Sequence, residues 1–365
     1  MSQESELSQK NEGIDLPVDL IRTVAIILVI LLHASIEAVP NIDIMSTQGV
    51  QLWWASNVYN SLSRTAVPLF VMLTGALLLQ PNKANEPLKV FFKKRWNRIG
   101  IPVLFWGAIF FAWDSLVKGQ LLTPVSFLQG LLAGPYVHFW YLYILIGLYL
   151  ITPLVRIIVA HADWKIIKYF LIIWFIGTGI IPLLTLYASI SPQTVWFRQN
   201  VFVLSGLLGY FIIGAYVAKL RLRTSILSLI LVLSSIFTIF GTYFLIATLG
   251  EQYSQFFLDA SSFSVIIASV TLFLILAAIP NQTIERKISR GSKAIQVISQ
   301  NTLPIYLFHI IVLETLQKGY LGFQISVTNL NPIIEIPLIT VVTLLICLAI
   351  IVPVKKIPYV KRIIG

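Results

Sequence analysis

The feature that most constrains this 365-residue chain is a succession of apolar runs, each about 20 residues long, separated by short stretches that hold most of the charge. Ten such runs fall near 18–38, 62–80, 98–117, 139–159, 166–187, 201–218, 226–248, 262–279, 302–318 and 333–353. With 57% apolar and only 11% charged residues, the chain is too apolar to hide its side chains in one soluble core. The expected fold is an all-α membrane protein, a polytopic bundle of about ten transmembrane helices. Residues 1–17 read as a polar tail, 18–353 as the membrane domain and 354–365 as a basic tail. The first 17 residues lack a basic stretch leading into a cleavable apolar one, so no signal peptide is expected.

The net charge of +11 is explained by where the cations fall. One set of loops holds Lys83, Lys89, Lys93, Lys94, Arg95 and Arg98, then Arg156, Lys165 and Lys168, then Lys219, Arg221 and Arg223, then Arg286, Lys287, Arg290 and Lys293. The opposite set has Lys118, Arg198 and Lys318, with Arg64 at a helix mouth. Excess lysine and arginine marks cytoplasmic loops, which puts both termini in the cytoplasm and needs no nucleic-acid partner. The largest external loop is expected from about Val39 to Ser61, too short for a soluble domain. Cys347, the single cysteine, sits in an apolar run and reads as a small buried hydrophobe. Gly206, Gly209 and Gly214 form a small-residue face suited to close helix packing.

The first run carries two basic side chains, Arg22 and His33. Such residues are costly in lipid and face a cavity or a partner. Eleven residues at about 100° each make three turns plus about 20°, which sets the pair on one face about 16 Å apart. Arg22 can line a groove, or it can pair with Asp19 and snorkel to the headgroups. His33 lies deeper, with Glu37 as its helical neighbour at i+4. A neutral histidine in a low-dielectric groove is suited to act as a general base.

Arginine and histidine separated by ten residues resemble the first-helix signature of the bacterial acyltransferase-3 family of membrane O-acyltransferases. Val67-Pro-Leu-Phe-Val-Met-Leu-Thr-Gly75 is similar to the family's second-helix pattern, and Arg95-Trp-Asn-Arg98 to its arginine-x-x-arginine motif. His138-Phe-Trp-Tyr-Leu and Ser299-Gln-Asn-Thr-Leu-Pro-Ile-Tyr-Leu-Phe-His309 are similar to further family segments. The resemblance covers nearly the whole chain and implies the ten-helix plan of the short members, which lack an appended extracytoplasmic domain. It implies a bacterial plasma-membrane enzyme that moves an acyl group, most often acetyl from acetyl-CoA, to a hydroxyl of an envelope glycan or a lipid-linked precursor. It also implies that either this chain acts alone or a separate extracytoplasmic transferase completes the transfer.

On that resemblance, His33 and Arg22 are the expected catalytic residues and Arg95 and Arg98 the expected grip on the acyl-CoA phosphates, a task that arginine forks suit. The same two arginines also read as ordinary positive-inside anchors. His309 is an accessory candidate; equal helix depths would set it about 10 Å from the level of His33, and simple packing is an equal reading. Arg64, Glu37 and Trp140 complete the accessory candidates. Trp53, Trp54, Tyr59, Trp140 and Tyr141 read either as an interfacial aromatic belt or as a sugar-binding surface. No spacing suggests a metal site or a bound cofactor. A transporter or flippase for a lipid-linked glycan is the alternative function, and a membrane anchor for an envelope-synthesis complex is a third.

Overall fold

The computed structural model describes residues 17–36, 47–83, 85–119, 123–134, 136–187, 206–217, 220, 222–281, 283, 289–320, 322, 324 and 331–365. The described residues are predominantly helical, with no strand among them. All ten apolar runs carry a helix. Seven are long and apolar enough to cross a bilayer: Val18–Ile36, Gly49–Leu78, Leu88–Val117, Val137–His161, Trp164–Leu186, Thr224–Leu249 and Pro332–Val354. An eighth crossing arises if Gly291–Gln300 and Thr302–Gln317, which meet at 82°, act as one broken span. Gly206–Tyr216 and Phe263–Ala277 are apolar but shorter. The expected ten crossings thus resolve by length into seven or eight, plus two short apolar helices.

Helix α1 (Val18–Ile36) is the axis of the bundle. Ile21, Ala25, Ile26, Ile30 and Ala34 are wholly buried, because neighbours surround the helix on several sides. These are α2 (Thr47–Ser63), α3 (Ala66–Leu78), α4 (Ser289–Gln300), α5 (Thr302–Gln317) and α6 (Pro332–Val354), numbered here in chain order among the helices that frame the site. The small alanines let these neighbours approach closely.

The second crossing corrects the expected external loop. Residues from Thr47 onward are helical, and α2 and α3 run as one 30-residue span interrupted only at Arg64 and Thr65. The apolar run near 62–80 therefore captured only its inner half. The outer half escaped because it carries Ser56, Asn57, Asn60 and Ser61, and all four are buried inside the bundle. Arg64 accordingly lies within a span rather than at a helix mouth. Trp53 is likewise buried, with its ring 5.2 Å from Trp54 and 5.8 Å from Tyr243, so it takes no part in an interfacial belt.

The third crossing also begins earlier than expected. A π-helical turn, Trp96–Gly100, joins Leu88–Arg95 to Ile101–Lys118, so Arg95 and Arg98 stand within a long helix. Single π turns in α-helices widen the backbone locally and are frequent at functional sites.

Close backbone contact locks α3 to Gly206–Val217. A Cβ on Gly75 would stand 1.8 Å from the carbonyl oxygen of Phe211, and one on Gly214 would stand 1.9 Å from that of Met72. Gly209 from the expected small-residue face meets the Trp174 indole instead. Cys347 is buried, as its apolar setting implies. The two described ends of the chain share one end of the bundle: Val18 opens α1 there, and Gly365 lines the same cavity as Arg22.

Candidate active site

At that end of the bundle lies a cavity of about 370 Å³. Four cations line it: Arg22 from α1, Lys83 from the loop after α3, and Arg95 and Arg98 around the π turn. No Asp or Glu side chain is among the lining residues. Such a concentration of basic side chains is a setting for an anion. Phe91 and Tyr149 hold Arg95, whose guanidinium carbon lies 5.2 Å and 5.4 Å from the two ring centres. Its Nε is buried without a hydrogen-bond partner.

The alternative reading of Arg22, an ion pair with Asp19, is not made among the described residues. Asp19 instead accepts a hydrogen bond from Ser299 Oγ at 2.6 Å, while Arg22 faces the cavity. The nearest loop carboxylate is also engaged elsewhere. Glu86 accepts from Lys94 at 2.8 Å and from the buried Arg156 at 3.1 Å. The Lys94 hydrogen bond, with help from Arg156, holds the Glu86 carboxyl below the usual range. Burial, followed by the nearby Arg156 and Arg95 charges, lowers the Lys83 ammonium.

The inner wall of the cavity is made by Tyr141 and Tyr306, with ring centres 5.5 Å apart. Behind that wall stand three histidines. His33 lies 5.2 Å from His309 and 6.5 Å from His138, and His138 lies 5.4 Å from His309, ring centre to ring centre. Tyr306 itself is 5.6 Å from His138 and 5.8 Å from His309, so one side chain touches both the cavity and the cluster.

The closeness of His33 and His309 corrects the expected axial offset. Helix α4 crosses α1 near its start: Thr23 donates to the Ile295 carbonyl at 3.0 Å, and Ser299 donates to Asp19. The 82° bend then turns the chain from α4 into α5, and the packed rings of His33 and His309 meet across the two helices.

His309 Nδ1 lies 2.7 Å from the Tyr306 carbonyl oxygen, which can only accept, so Nδ1 carries the proton. Its Nε2 is then a lone-pair nitrogen, buried without a partner. Tyr306 Oη donates to the backbone carbonyl of His138 at 2.5 Å, fixing the turn Val137–Phe139 from which that ring projects. A second support for this turn is Glu314, which accepts from Tyr136 Oη, from Trp113 Nε1 at 2.8 Å and from Lys318 at 3.0 Å. His138 and His309 are fully buried, whereas His33 is half-buried. His33 is thus the least enclosed residue of the three.

Sequence reasoning quoted His138 only as part of a similar segment and gave it no role. Its one signal is a histidine placed just before an apolar run; nothing in the spacing links it to the histidines far along the chain in either direction. Among the accessory candidates, Arg64 donates to Asn60 Oδ1 at 2.6 Å and to Gln255 Oε1 at 3.1 Å, on the side of the cluster away from the cationic cavity. Trp140 is 45% exposed and turned away from the cluster, unlike its neighbours His138 and Phe139. Glu37 lies outside the described residues. Among the described residues no group of three or more His, Cys, Asp or Glu side chains is placed to hold a metal ion.

The family model described as an acyltransferase domain, acyltransferase-3, matches residues 16–352. The chain belongs to the acyltransferase-3 family. No curated protein and no solved structure matches it. The match takes in Arg22, the histidine cluster and the four lining cations within one domain, and it assigns acyl transfer by a multi-pass membrane protein. In this acyltransferase-3 chain, residues from α1, α5 and the turn before the fourth crossing meet at one point.

Proposed function

We propose that this protein is an acyl-CoA-dependent O-acyltransferase of the plasma membrane, which moves an acyl group, most often acetyl from acetyl-CoA, to a hydroxyl of an envelope glycan or its lipid-linked precursor. The observation that carries the reading is the continuity from a four-cation cavity, through Tyr306, to three clustered histidines. Lysine and arginine excess assigns the cavity end to the cytoplasm, where acyl-CoA is made. Arg22, Lys83, Arg95 and Arg98 would then receive the phosphates, and the pantetheine arm would pass the tyrosine wall toward His33.

In the reaction, the acceptor hydroxyl attacks the thioester carbonyl, a C–O bond forms and the C–S bond breaks. A histidine lone pair takes the hydroxyl proton and the CoA thiolate leaves, to be protonated in turn. His33 is the proposed base because it is the least enclosed residue of the three. His309, its Nδ1 proton fixed on the Tyr306 carbonyl, presents Nε2 as the neighbouring base. The Arg64 charge lies on the acceptor side of the cluster, where it can steady negative charge developing at the carbonyl oxygen.

Purified protein incubated with labelled acetyl-CoA and an envelope-glycan extract should move label into the glycan, as read by mass spectrometry. Movement of glycan across a sealed membrane with no covalent change would overturn the reading in favour of a carrier.

A further inference from the structure

A second, smaller cavity of about 110 Å³ lies beyond the histidine cluster, at the opposite end of α1 from the cationic cavity. Ile36, one turn past His33, is among its lining residues. Trp53, Ser56, Asn57, Asn60, Thr242 and Gln255 supply most of the rest.

Two of its hydroxyls are unusual for their surroundings. Serine and threonine hydroxyls within helices normally turn back to a carbonyl one turn earlier. Ser63 does so with Tyr59 at 2.6 Å, Ser234 with Ile230 at 2.8 Å, Thr238 with Ser234 at 3.0 Å and Thr248 with Phe244 at 2.7 Å. Ser56 and Thr242, on the same helices, do not. Ser56 is 0% and Thr242 2% exposed, yet both hydroxyl oxygens are buried without a hydrogen-bond partner. Leaving a buried hydroxyl unpaired is costly, so two unpaired ones facing one cavity point to a ligand that pairs them.

The rest of the lining fits the same ligand. Asn60 and Gln255 line the cavity too, and since their amide oxygens accept from Arg64, their NH2 groups remain as donors. Trp53 adds a flat apolar surface. No Lys, Arg, Asp or Glu is among the lining residues. The chemistry is that of a neutral molecule bearing several hydroxyls. Its small size suits one hydroxylated edge of a ring rather than a whole glycan.

We propose that this cavity is the acceptor subsite, in which Ser56 and Thr242 hydrogen-bond two adjacent hydroxyls of a sugar ring and so present a further hydroxyl to His33. The assignment rests on the acyltransferase reading for its purpose, but its binding chemistry stands on the two hydroxyls.

The test uses the full chain in lipid nanodiscs, with the methyl glycosides of glucose, galactose and N-acetylglucosamine as probes. Binding is followed by tryptophan emission and by hydrogen exchange of the 53–60 and 240–258 segments. Saturable binding of at least one glycoside is expected in the range of about 1–10 mM. The double variant Ser56→Ala, Thr242→Val should weaken it about tenfold or more. Because the deleted hydroxyls have no partner, the variant should unfold at the same temperature as wild type or higher, which a structural role would not allow. No saturable signal with any glycoside would mean a water pocket and overturn the proposal, as would binding that survives the double variant. Failure of the acyltransferase reading would show separately, as wild-type protein that binds glycoside but moves no acyl group.

Discussion

His33 and His309 stand 5.2 Å apart, ring centre to ring centre, although one belongs to the first helix and the other to a helix near the end of the chain. With His138 they make a cluster walled from the cationic cavity by Tyr306, and the proposed chemistry follows from that arrangement.

If these rings handle the acceptor proton, His33→Ala should lower kcat by about 10²–10⁴ with little change in donor KM. His309→Ala should fall in the same range. The double variant should lose little more than either single one, because residues that act as a unit are not additive. Initial rates with labelled acetyl-CoA measure all three. Independent, multiplying losses would separate the two rings.

The cavity cations should act on the donor's phosphates. Arg95→Ala and Arg98→Ala are each expected to raise the KM for acetyl-CoA about tenfold or more, with lysine substitutions restoring only part of it. The effect should vanish with acetylpantetheine, which lacks the phosphates. An equal loss with both donors would make these arginines structural.

Glu86 ties Lys94 and Arg156 to the loop that carries Lys83. Its carboxyl is held below the ordinary value of about 4.3. A depressed carboxyl stabilises the fold above its unfolded value, and that contribution is lost as pH falls through the lower folded value. Glu86→Gln should therefore cost about 1–2 kcal/mol at neutral pH, chiefly through the buried Arg156, since Lys94 is 60% exposed. The difference in thermal unfolding between wild type and variant should begin to close as pH falls below about 4.3 and vanish once pH is below the lower folded value.

Gly75 and Gly214 leave no room for a methyl group against the opposing backbone. Gly75→Ala or Gly214→Ala should destabilise the bundle by about 3 kcal/mol or more, because backbone cannot move aside as a side chain can. The unfolding temperature in detergent reads this directly.

The sequence carried much of this architecture because lipid allows few solutions: apolar runs, basic loops and two basic residues in the first run each have one strong physical meaning. Arg22, Arg95 and Arg98 were legible for the same reason, and the structure brings them to one cavity. The outer half of the second crossing was not legible, because Ser56, Asn57 and Asn60 lower its hydropathy while being buried in the bundle. His138 was missed because its partners His33 and His309 lie far along the chain in either direction and meet it only through tertiary packing, which leaves no local sequence period. Lys83 looked like one more basic loop residue until its loop folded against the cavity.

The most direct test of the account is the sidedness of transfer in sealed proteoliposomes of known orientation, with labelled acetyl-CoA supplied to one face at a time and His33→Ala run in parallel. The account predicts that label moves only when acetyl-CoA reaches the face carrying Arg95 and Arg98, and that His33→Ala abolishes it. Transfer from donor on the opposite face, or an undiminished rate in His33→Ala, would contradict it.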